Sequence, residues 1–310
     1  MPAATCAATL HSMAEYQVKI VDAFTKQRFT GNACGVVTRA DGLTDEQMQN
    51  IARELNLSET AFVLPSAVAD FRVRFFTPLQ EIPLAGHPTI ATMYTLADEG
   101  RIDLSKGPKR VVQELSIGVL PVDLSRDDRG VTRVVMTQGK PEFGRRLDRN
   151  VFAEALGIEP SDMLEAVPVQ VVSTGTPQAM VPVKSLSVLK RLSPNLQHLS
   201  DLENIGHYFS THVFALEAFE QPNRTHARHF AASRGIPEDP VTGSATGSMA
   251  AYLWKYGLIR ESRYTVEQGH IMGRPGIVDV EIDADVNSDE PTAIRIAGTA
   301  VTVLRGTITV

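Results

Sequence analysis

Residues 86–100 read GHPTIATMYTLADEG, and residues 243–257 read GSATGSMAAYLWKYG. Both segments run fourteen positions from one glycine to another, and neither carries a charged residue in its first three turns. A helix without a charged face is buried on all sides. Pro88 indicates the first helical position of one segment, and Ser244 indicates the N-cap of the other. We therefore predict that both segments are buried helices of similar length.

The two predicted helices also align with each other. When their leading glycines are superposed, Thr89 falls on Thr246 and Leu96 falls on Leu253. A β-type run that begins with arginine precedes each helix. Chance spacing of the glycines is an alternative explanation for the match. An internal repeat would imply two similar halves, each a curled sheet around one central helix, with a boundary near Gly130.

The rest of the chain favours strands. Short β-type runs are usually separated by Gly, Pro, Asn or Asp, and they include 18–24, 61–64, 71–76, 119–124, 169–173, 212–216 and 278–282. This pattern is typical of an all-β or α+β barrel and not of βαβ repeats. Two further helices are predicted, 45–56 after the capping box of Thr44 and Gln47, and 148–156.

Length and composition restrict the function. The 310 residues suggest about two domains. A net charge of −6 gives no electrostatic footprint for nucleic acid or an anionic membrane, and no apolar run is long enough to span a bilayer. Two cysteines, Cys6 and Cys34, exclude a disulfide framework and a cysteine-based zinc site. Residues 1–15 lack the pattern of a secretory signal, so we expect a disordered leader, with Met13 as an alternative start, and a cytoplasmic protein.

Three residues at element junctions are candidates for acid–base chemistry. Glu59 follows the predicted helix 45–56, where a solvated surface carboxylate is the alternative. His87 is predicted at a helix N-cap beside Gly86, where free N–H groups favour an anion and lower the pKa of an imidazole; an incidental histidine is the alternative. Asp239 precedes a proline, which predicts an extended or turn conformation and is commonly only turn chemistry.

Several nucleotide, metal and nucleophile motifs are absent. The chain has no G-x-x-x-x-G-K-[ST], G-x-G-x-x-G, H-E-x-x-H or G-x-S-x-G pattern. We therefore expect no cofactor and no metal at the functional site.

Short motifs occur in a fixed order along the chain: IVDAF at 20–24, FTGN at 29–32, NLSET at 56–60, RFFTP at 74–78, AGHPT at 85–89, DPVTGSA at 239–245, Gln268-Gly269 and MGRP at 272–275. This series resembles the phenazine-biosynthesis PhzF family. The resemblance implies a diaminopimelate epimerase-like α+β fold of two pseudo-symmetric domains, each a β-barrel-like sheet wrapped around a central helix. It places the N-terminal domain at 16–129 with a returning strand at 297–310, and the C-terminal domain at 130–296.

The same resemblance implies a function. The enzyme for which the family is named is a cofactor-independent isomerase that moves a proton within trans-2,3-dihydro-3-hydroxyanthranilate. By the matching motifs, Glu59 carries the proton, and His87 and Asp239 assist it. The implied substrate-binding residues are Asn32, Ser58, Gly86, Gly243 and Ser244. The implied partners are a small, cyclic or acyclic, carboxylate substrate and a second copy of the chain in a homodimer.

The departures from related folds leave two alternatives open. Diaminopimelate epimerase and proline racemase carry a cysteine just before each central helix, where this chain has Ala85 and Thr242. Two-thiol racemisation is therefore disfavoured. An epimerase or racemase with Glu59 and Asp239 as opposed bases is one alternative. The other is a small-acid binding protein that has lost turnover.

Overall fold

The computed structural model of the chain describes residues 14–285 and 288–310, so the predicted disordered leader lies almost wholly outside the described residues. The strands are β1 Glu15–Ala23, β2 Asn32–Val37, β3 Glu59–Leu64, β4 Phe71–Phe76, β5 Glu81–Ile82, β6 Lys109–Leu115, β7 Gly118–Arg126, β8 Thr132–Thr137, β9 Glu142–Leu147, β10 Val169–Ser173, β11 Pro177–Pro182, β12 Ser210–Ala215, β13 His226–Ala231, β14 Ile236–Asp239, β15 Arg263–Gln268, β16 Gly276–Asp283, β17 Ala293–Gly298 and β18 Ala300–Thr309. The helices are α1 Asp45–Leu55, α2 Gly86–Asp98, α3 Arg149–Leu156, α4 Leu186–Arg191, α5 Leu196–Gly206 and α6 Gly243–Lys255, with 3₁₀ turns at Pro160–Asp162 and Ala232–Arg234.

The strands form two matching series of pairings. In the first, β18–β1–β2–β3–β4–β6–β7–β8 lie side by side, with β2/β3 and β4/β6 parallel. In the second, β9–β10–β11–β12–β13–β15–β16–β17 repeat the order, with β11/β12 and β13/β15 parallel. Strands β5 and β14 pair with β4 and β13, and β8 pairs with β17 to join the two series. The predicted α+β fold class is confirmed.

The two central helices fill the curled sheets. Helix α2 packs against β1, β2, β3, β8 and β18, and helix α6 packs against β10, β11, β16 and β17. Three threonine hydroxyls of these helices are satisfied within the helix, since Thr89, Thr95 and Thr246 donate to carbonyls one turn earlier, Ala85 O at 2.7 Å, Ala91 O at 2.7 Å and Thr242 O at 3.0 Å. The apolar side chains are then free to enter the core, each burial contributing about 1.5–3 kcal/mol.

The division into domains at residues 129 and 130 stays a prediction. The structure adds that β18 pairs with β1 along its whole length, from Glu15 opposite Thr309 to Ala23 opposite Ala300. It also places β8, which follows the predicted boundary, against α2.

The predicted starts of the central helices are each wrong by two residues. Helix α2 begins at Gly86 with Ala85 as N-cap, so His87 is the second helical residue and Pro88 the third. Helix α6 begins at Gly243 with Thr242 as N-cap, so Ser244 lies inside the helix and does not cap it. Neither start has a side-chain cap, because the Thr242 hydroxyl donates to Asp239 and the Ser244 hydroxyl accepts from Gln178.

Helix α1 matches its prediction and delivers the chain to the site. Thr44 and Gln47 form the predicted capping box, and Met48, Ile51 and Ala52 are the buried face. The helix ends at Asn56, which adopts the left-handed conformation that terminates many helices. This turn leads into β3, three residues on. Helices α4 and α5 were not predicted. No helix within the described ranges is long and apolar enough to cross a membrane.

Candidate active site

Four of the predicted site residues come from strand ends or a helix start. Asn32 and Glu59 open the neighbouring parallel strands β2 and β3, His87 is the second residue of α2, and Asp239 closes β14 in the other half of the molecule. Because β2 and β3 are parallel, their first residues lie at the same edge of the sheet. The fold therefore brings together residues that are up to 207 positions apart.

The amide of Asn32 links the two halves. Its Nδ2 lies 2.8 Å from Asp239 Oδ1, 3.0 Å from Val241 O and 3.1 Å from His87 Nδ1. Its Oδ1 accepts a hydrogen bond from the Ser58 hydroxyl at 3.3 Å. Asn32 is 2% exposed. The polar atoms of Asn32 thus form most of their hydrogen bonds with other protein groups. The role of Asn32 in the structure is to hold the other site residues in place.

His87 has polar contacts at both ring nitrogens. Nδ1 lies 3.1 Å from Asn32 Nδ2, and Nε2 lies 3.2 Å from Glu59 Oε2 and 3.4 Å from the Ser58 hydroxyl. In the neutral imidazole one nitrogen carries the proton and the other accepts, so the tautomer protonated on Nδ1 presents an acceptor nitrogen to Glu59.

The Glu59 carboxyl is a weak acid. Burial and the nearby charge of Asp239 raise its pKa to about 8, although the hydrogen bond from Ser58 acts in the opposite direction. Burial lowers the pKa of His87 to about 3, so the imidazole is neutral. The 3.2 Å contact between Glu59 Oε2 and His87 Nε2 is therefore not an ion pair at neutral pH.

Asp239 has a different environment from Glu59. Burial raises its pKa to about 6, while hydrogen bonds from Thr242 and Asn32 lower it, so the carboxylate is mainly ionised at pH 7. Both of its oxygens accept hydrogen bonds, Oδ1 from Asn32 and Oδ2 from the Thr242 hydroxyl. The two carboxyl groups of the cleft thus differ in protonation at neutral pH, which is a common property of acid–base sites.

Thr242 and Gln268 are parts of the site that the sequence analysis did not assign. Gln268 Nε2 donates to Asp239 O at 2.8 Å and to the Thr242 hydroxyl at 3.2 Å, and its Oε1 accepts from Thr242 N at 3.1 Å. Both residues lie in motifs that carry the family resemblance. Their roles could not be read from those motifs because each acts on Asp239 through backbone and hydroxyl contacts.

The starts of the two central helices face each other. A Cβ added to Gly86 would lie 3.7 Å from Ser244 N and 3.8 Å from Gly243 Cα. Both helices lack a side-chain cap and an acidic residue in the first turn. The first N–H groups of a helix have no partner within it and favour an anion. Two such starts at one place form a site suited to a small carboxylate.

The remaining predicted binding residues also lie in or beside this cleft. Ser58 contacts Asn32 and His87, and Ser244 sits at the α6 start, where its hydroxyl accepts from Gln178 Nε2 at 3.1 Å. Among the described residues, no lysine or arginine hydrogen-bonds to Asn32, Glu59, His87 or Asp239. The positive potential in the cleft therefore comes from the helix starts.

Thiol chemistry does not fit the cleft. Cys34 lies opposite Glu59 in the β2/β3 pairing and is fully buried. Burial and the neighbouring Glu59 raise the pKa of its thiol well above the usual value, so the thiolate is disfavoured. The fold and the site together define an α+β protein with a carboxyl and an imidazole side by side in a cleft between two helix starts.

Comparisons with known proteins agree with this class. A family model described as phenazine biosynthesis-like protein matches residues 21–306. An uncharacterised isomerase of Clostridium acetobutylicum is 43% identical over 300 residues, 94% of this chain and 97% of the relative. A trans-2,3-dihydro-3-hydroxyanthranilate isomerase of Pseudomonas chlororaphis is 34% identical over 293 residues, 93% of this chain and 98% of the relative. The crystal structure of a Bacillus anthracis phenazine biosynthesis protein of the PhzF family has a TM-score of 0.88 and 37% identity, and the match covers 96% of this chain and all of that one.

The chain therefore belongs to the PhzF family of phenazine biosynthesis-like proteins, as its motifs predicted. It is an isomerase of that family.

Proposed function

We propose that the protein is a cofactor-independent isomerase that moves a proton from one carbon to another within a small carboxylic acid of the trans-2,3-dihydro-3-hydroxyanthranilate type. The observation that carries the proposal is the buried Glu59 carboxyl, which faces Nε2 of a neutral His87 beside two uncapped helix starts. The name of the Pseudomonas relative supports this choice of substrate class.

The environment of Glu59 suits a group that takes up and returns a proton. A general base is most effective when its pKa lies near the working pH, and burial brings the pKa of Glu59 to about 8. The lone pair of His87 Nε2 stabilises the protonated carboxyl and makes the ionised carboxylate a stronger base. One carboxyl can then remove a C–H proton and return it to another carbon on the same face of the substrate.

The helix starts supply the complementary charge. Removing a proton next to a conjugated carboxylate places negative charge on the substrate oxygens. The first N–H groups of α2 and α6 point at a bound carboxylate and stabilise that charge without rearrangement. Asp239, fixed by Asn32 and Thr242, keeps a negative charge near Glu59 and so maintains its high pKa.

One observation favours a second candidate. A protonated Glu59 and an ionised Asp239 across one cleft is also the arrangement of a two-base epimerase or racemase. Against this function, both Asp239 oxygens already accept hydrogen bonds from protein groups, whereas Glu59 Oε2 has only His87 beside it among the described residues. We therefore assign the proton transfer to Glu59 and a fixed charge to Asp239.

The test uses solvent deuterium. The purified chain is incubated in D₂O with trans-2,3-dihydro-3-hydroxyanthranilate and with a panel of small cyclic and acyclic carboxylic acids, and the products are read by mass spectrometry and NMR. The proposal expects a product with a shifted double bond, and loss of this product in Glu59→Gln. Deuterium at the new C–H position measures how far the Glu59 proton exchanges with solvent before it is returned.

The other outcomes identify the alternatives. Deuterium at an unchanged position with inversion of that centre would indicate an epimerase. Binding of an acid without any C–H exchange would indicate a binding protein. Full turnover in the Glu59→Gln variant would remove Glu59 from the mechanism.

A further inference from the structure

A second cluster of chemically active side chains lies at the end of β15, outside the cleft. Glu267 and Gln268 are adjacent in this strand, so their side chains point to opposite faces of the sheet. Gln268 points toward Asp239 and Thr242 in the candidate active site. Glu267 points the other way, toward His226 at the start of β13, its partner in the parallel pairing, and toward His270 three residues on.

We propose that His226, Glu267 and His270 form a binding site for one divalent transition-metal ion of the Zn²⁺ class. One ligand atom from each residue lies within 4.8 Å of the other two. Two imidazole nitrogens and one carboxylate oxygen are a donor set that Zn²⁺ uses in proteins. The proposal is independent of the proposed isomerase function.

The three candidate ligand atoms would need to move only slightly closer together to bind one ion. Glu267 Oε2 lies 3.4 Å from His226 Nδ1 and 4.0 Å from His270 Nε2. Ligand atoms about 2.0–2.2 Å from a tetrahedral Zn²⁺ are roughly 3.3–3.5 Å apart. His270 lies in the turn between β15 and β16, and a movement of its ring by about 1 Å would complete this geometry.

The Glu267 carboxylate is prepared for a cation. Its Oε1 accepts from Glu220 N at 2.8 Å and from Asn223 Nδ2 at 2.7 Å, and its Oε2 accepts from Phe219 N at 2.7 Å. These three donors hold the carboxylate in one orientation, with Oε2 toward both histidines.

This buried charge has no basic partner. Among the described residues, no lysine or arginine forms an ion pair with Glu267; only the two histidines face it. The carboxylate is fully buried, and a buried charge is costly unless it is paired or binds a metal. Backbone and amide donors that orient a ligating carboxylate are also the usual outer shell of a metal site.

Each histidine turns one ring nitrogen toward Glu267 Oε2, Nδ1 of His226 and Nε2 of His270. Their other ring nitrogens, His226 Nε2 and His270 Nδ1, are buried and have no hydrogen-bond partner among the described residues. Phe219 stacks on the His270 ring at 4.9 Å and contacts the His226 ring edgewise at 4.8 Å. This phenyl ring holds both imidazoles toward Glu267.

The test measures metal binding directly. The full chain is stripped with a chelator and titrated with Zn²⁺ by calorimetry, and with Co²⁺ by visible absorption. We expect one ion per chain and the intense bands of a tetrahedral Co²⁺ site. The variant His270→Ala should weaken Zn²⁺ binding by at least about 10–100-fold, the range for disturbing even the outer shell of a metal site.

A matched control separates this site from surface histidines. His198 on α5 makes no side-chain hydrogen bond or ion pair among the described residues, and His198→Ala should leave Zn²⁺ binding unchanged. Zn²⁺ should also raise the melting temperature of the parent and of His198→Ala, but not of His270→Ala. Equal affinities in all three proteins, or no ion bound at micromolar Zn²⁺, would overturn the proposal.

Discussion

Replacing Glu59 with glutamine should abolish turnover and at the same time stabilise the protein. The substitution keeps the shape of the side chain, and the new amide can donate to the His87 Nε2 acceptor, 3.2 Å from Glu59 Oε2. Turnover should fall by at least about 100-fold because the base is lost. Ligand binding should be largely retained, since the helix starts are unchanged.

The stability gain follows from the pKa of Glu59, which the fold raises from 4.5 to about 8. Between these pH values the native chain binds one proton more than the unfolded chain, so the free energy of unfolding falls as the pH rises. Each pH unit in this window lowers the free energy of unfolding by about 1.4 kcal/mol, so the total loss at pH 7 is roughly 2–4 kcal/mol. Glutamine does not titrate, so the variant does not lose this free energy of unfolding. Its stability relative to the parent should therefore increase progressively from pH 4.5 to 8.

Urea unfolding at pH 5, 6, 7 and 8, followed by far-UV circular dichroism, measures the difference. Glu54→Gln is the matched control, because Glu54 is exposed on the same α1–β3 segment. The control should show the pH dependence of the parent. If Glu59→Gln also follows the parent at every pH, the carboxyl is not protonated in the native state, and the reasoning from its burial is refuted.

Three further predictions concern the same cleft. The kcat/KM of the parent should rise with pH, reach half of its maximum near pH 8 as the Glu59 of the free enzyme ionises, and level off above that pH; a half-maximal point near pH 4.5 would contradict the assignment. Thr44→Ala should lower the free energy of unfolding by about 0.5–2 kcal/mol because a helix cap is lost, and it should leave the affinity for the carboxylate unchanged. Ser244→Ala should weaken that affinity when it is measured by calorimetry. Equal losses of affinity in the two variants would argue against binding at the α6 start. Asn32→Asp should lower stability by at least about 2 kcal/mol in urea unfolding, because it removes the hydrogen bond to the Asp239 carboxylate and places a second carboxyl beside it; an unchanged midpoint would mean that the amide does not join the halves.

The sequence was sufficient to predict features that depend only on residues within one helix. The capping box of Thr44 and Gln47 predicted the start of α1, and the helix predicted at 148–156 is α3, with Asp148 as its N-cap. Neither α2 nor α6 has a charged face that would suit contact with solvent. This feature of the sequence predicted that both helices are buried, as the structure shows. Helices α4 and α5 were missed, although Ser185 and Asn195 cap them, because their apolar patterns are short.

The motifs also identified the residues of the cleft, because each motif keeps a reactive side chain at a fixed place on its own element. They did not reveal how those residues act on one another. The starts of α2 and α6 were misplaced, since the Thr242 and Ser244 hydroxyls bond to Asp239 and Gln178, which are unrelated to helix capping.

The sequence by itself was enough to predict the fold class, the two buried helices and Glu59, His87 and Asp239 as candidate site residues, because these follow from periodicity and from contiguous motifs. Only the tertiary structure decided the chemistry of these groups. The pKa of Glu59 depends on burial and on the charge of Asp239, 180 positions away in the chain, and the pKa of His87 depends on burial of the imidazole. Desolvation and charge–charge interaction act through space, so they are defined only when the two halves close on each other.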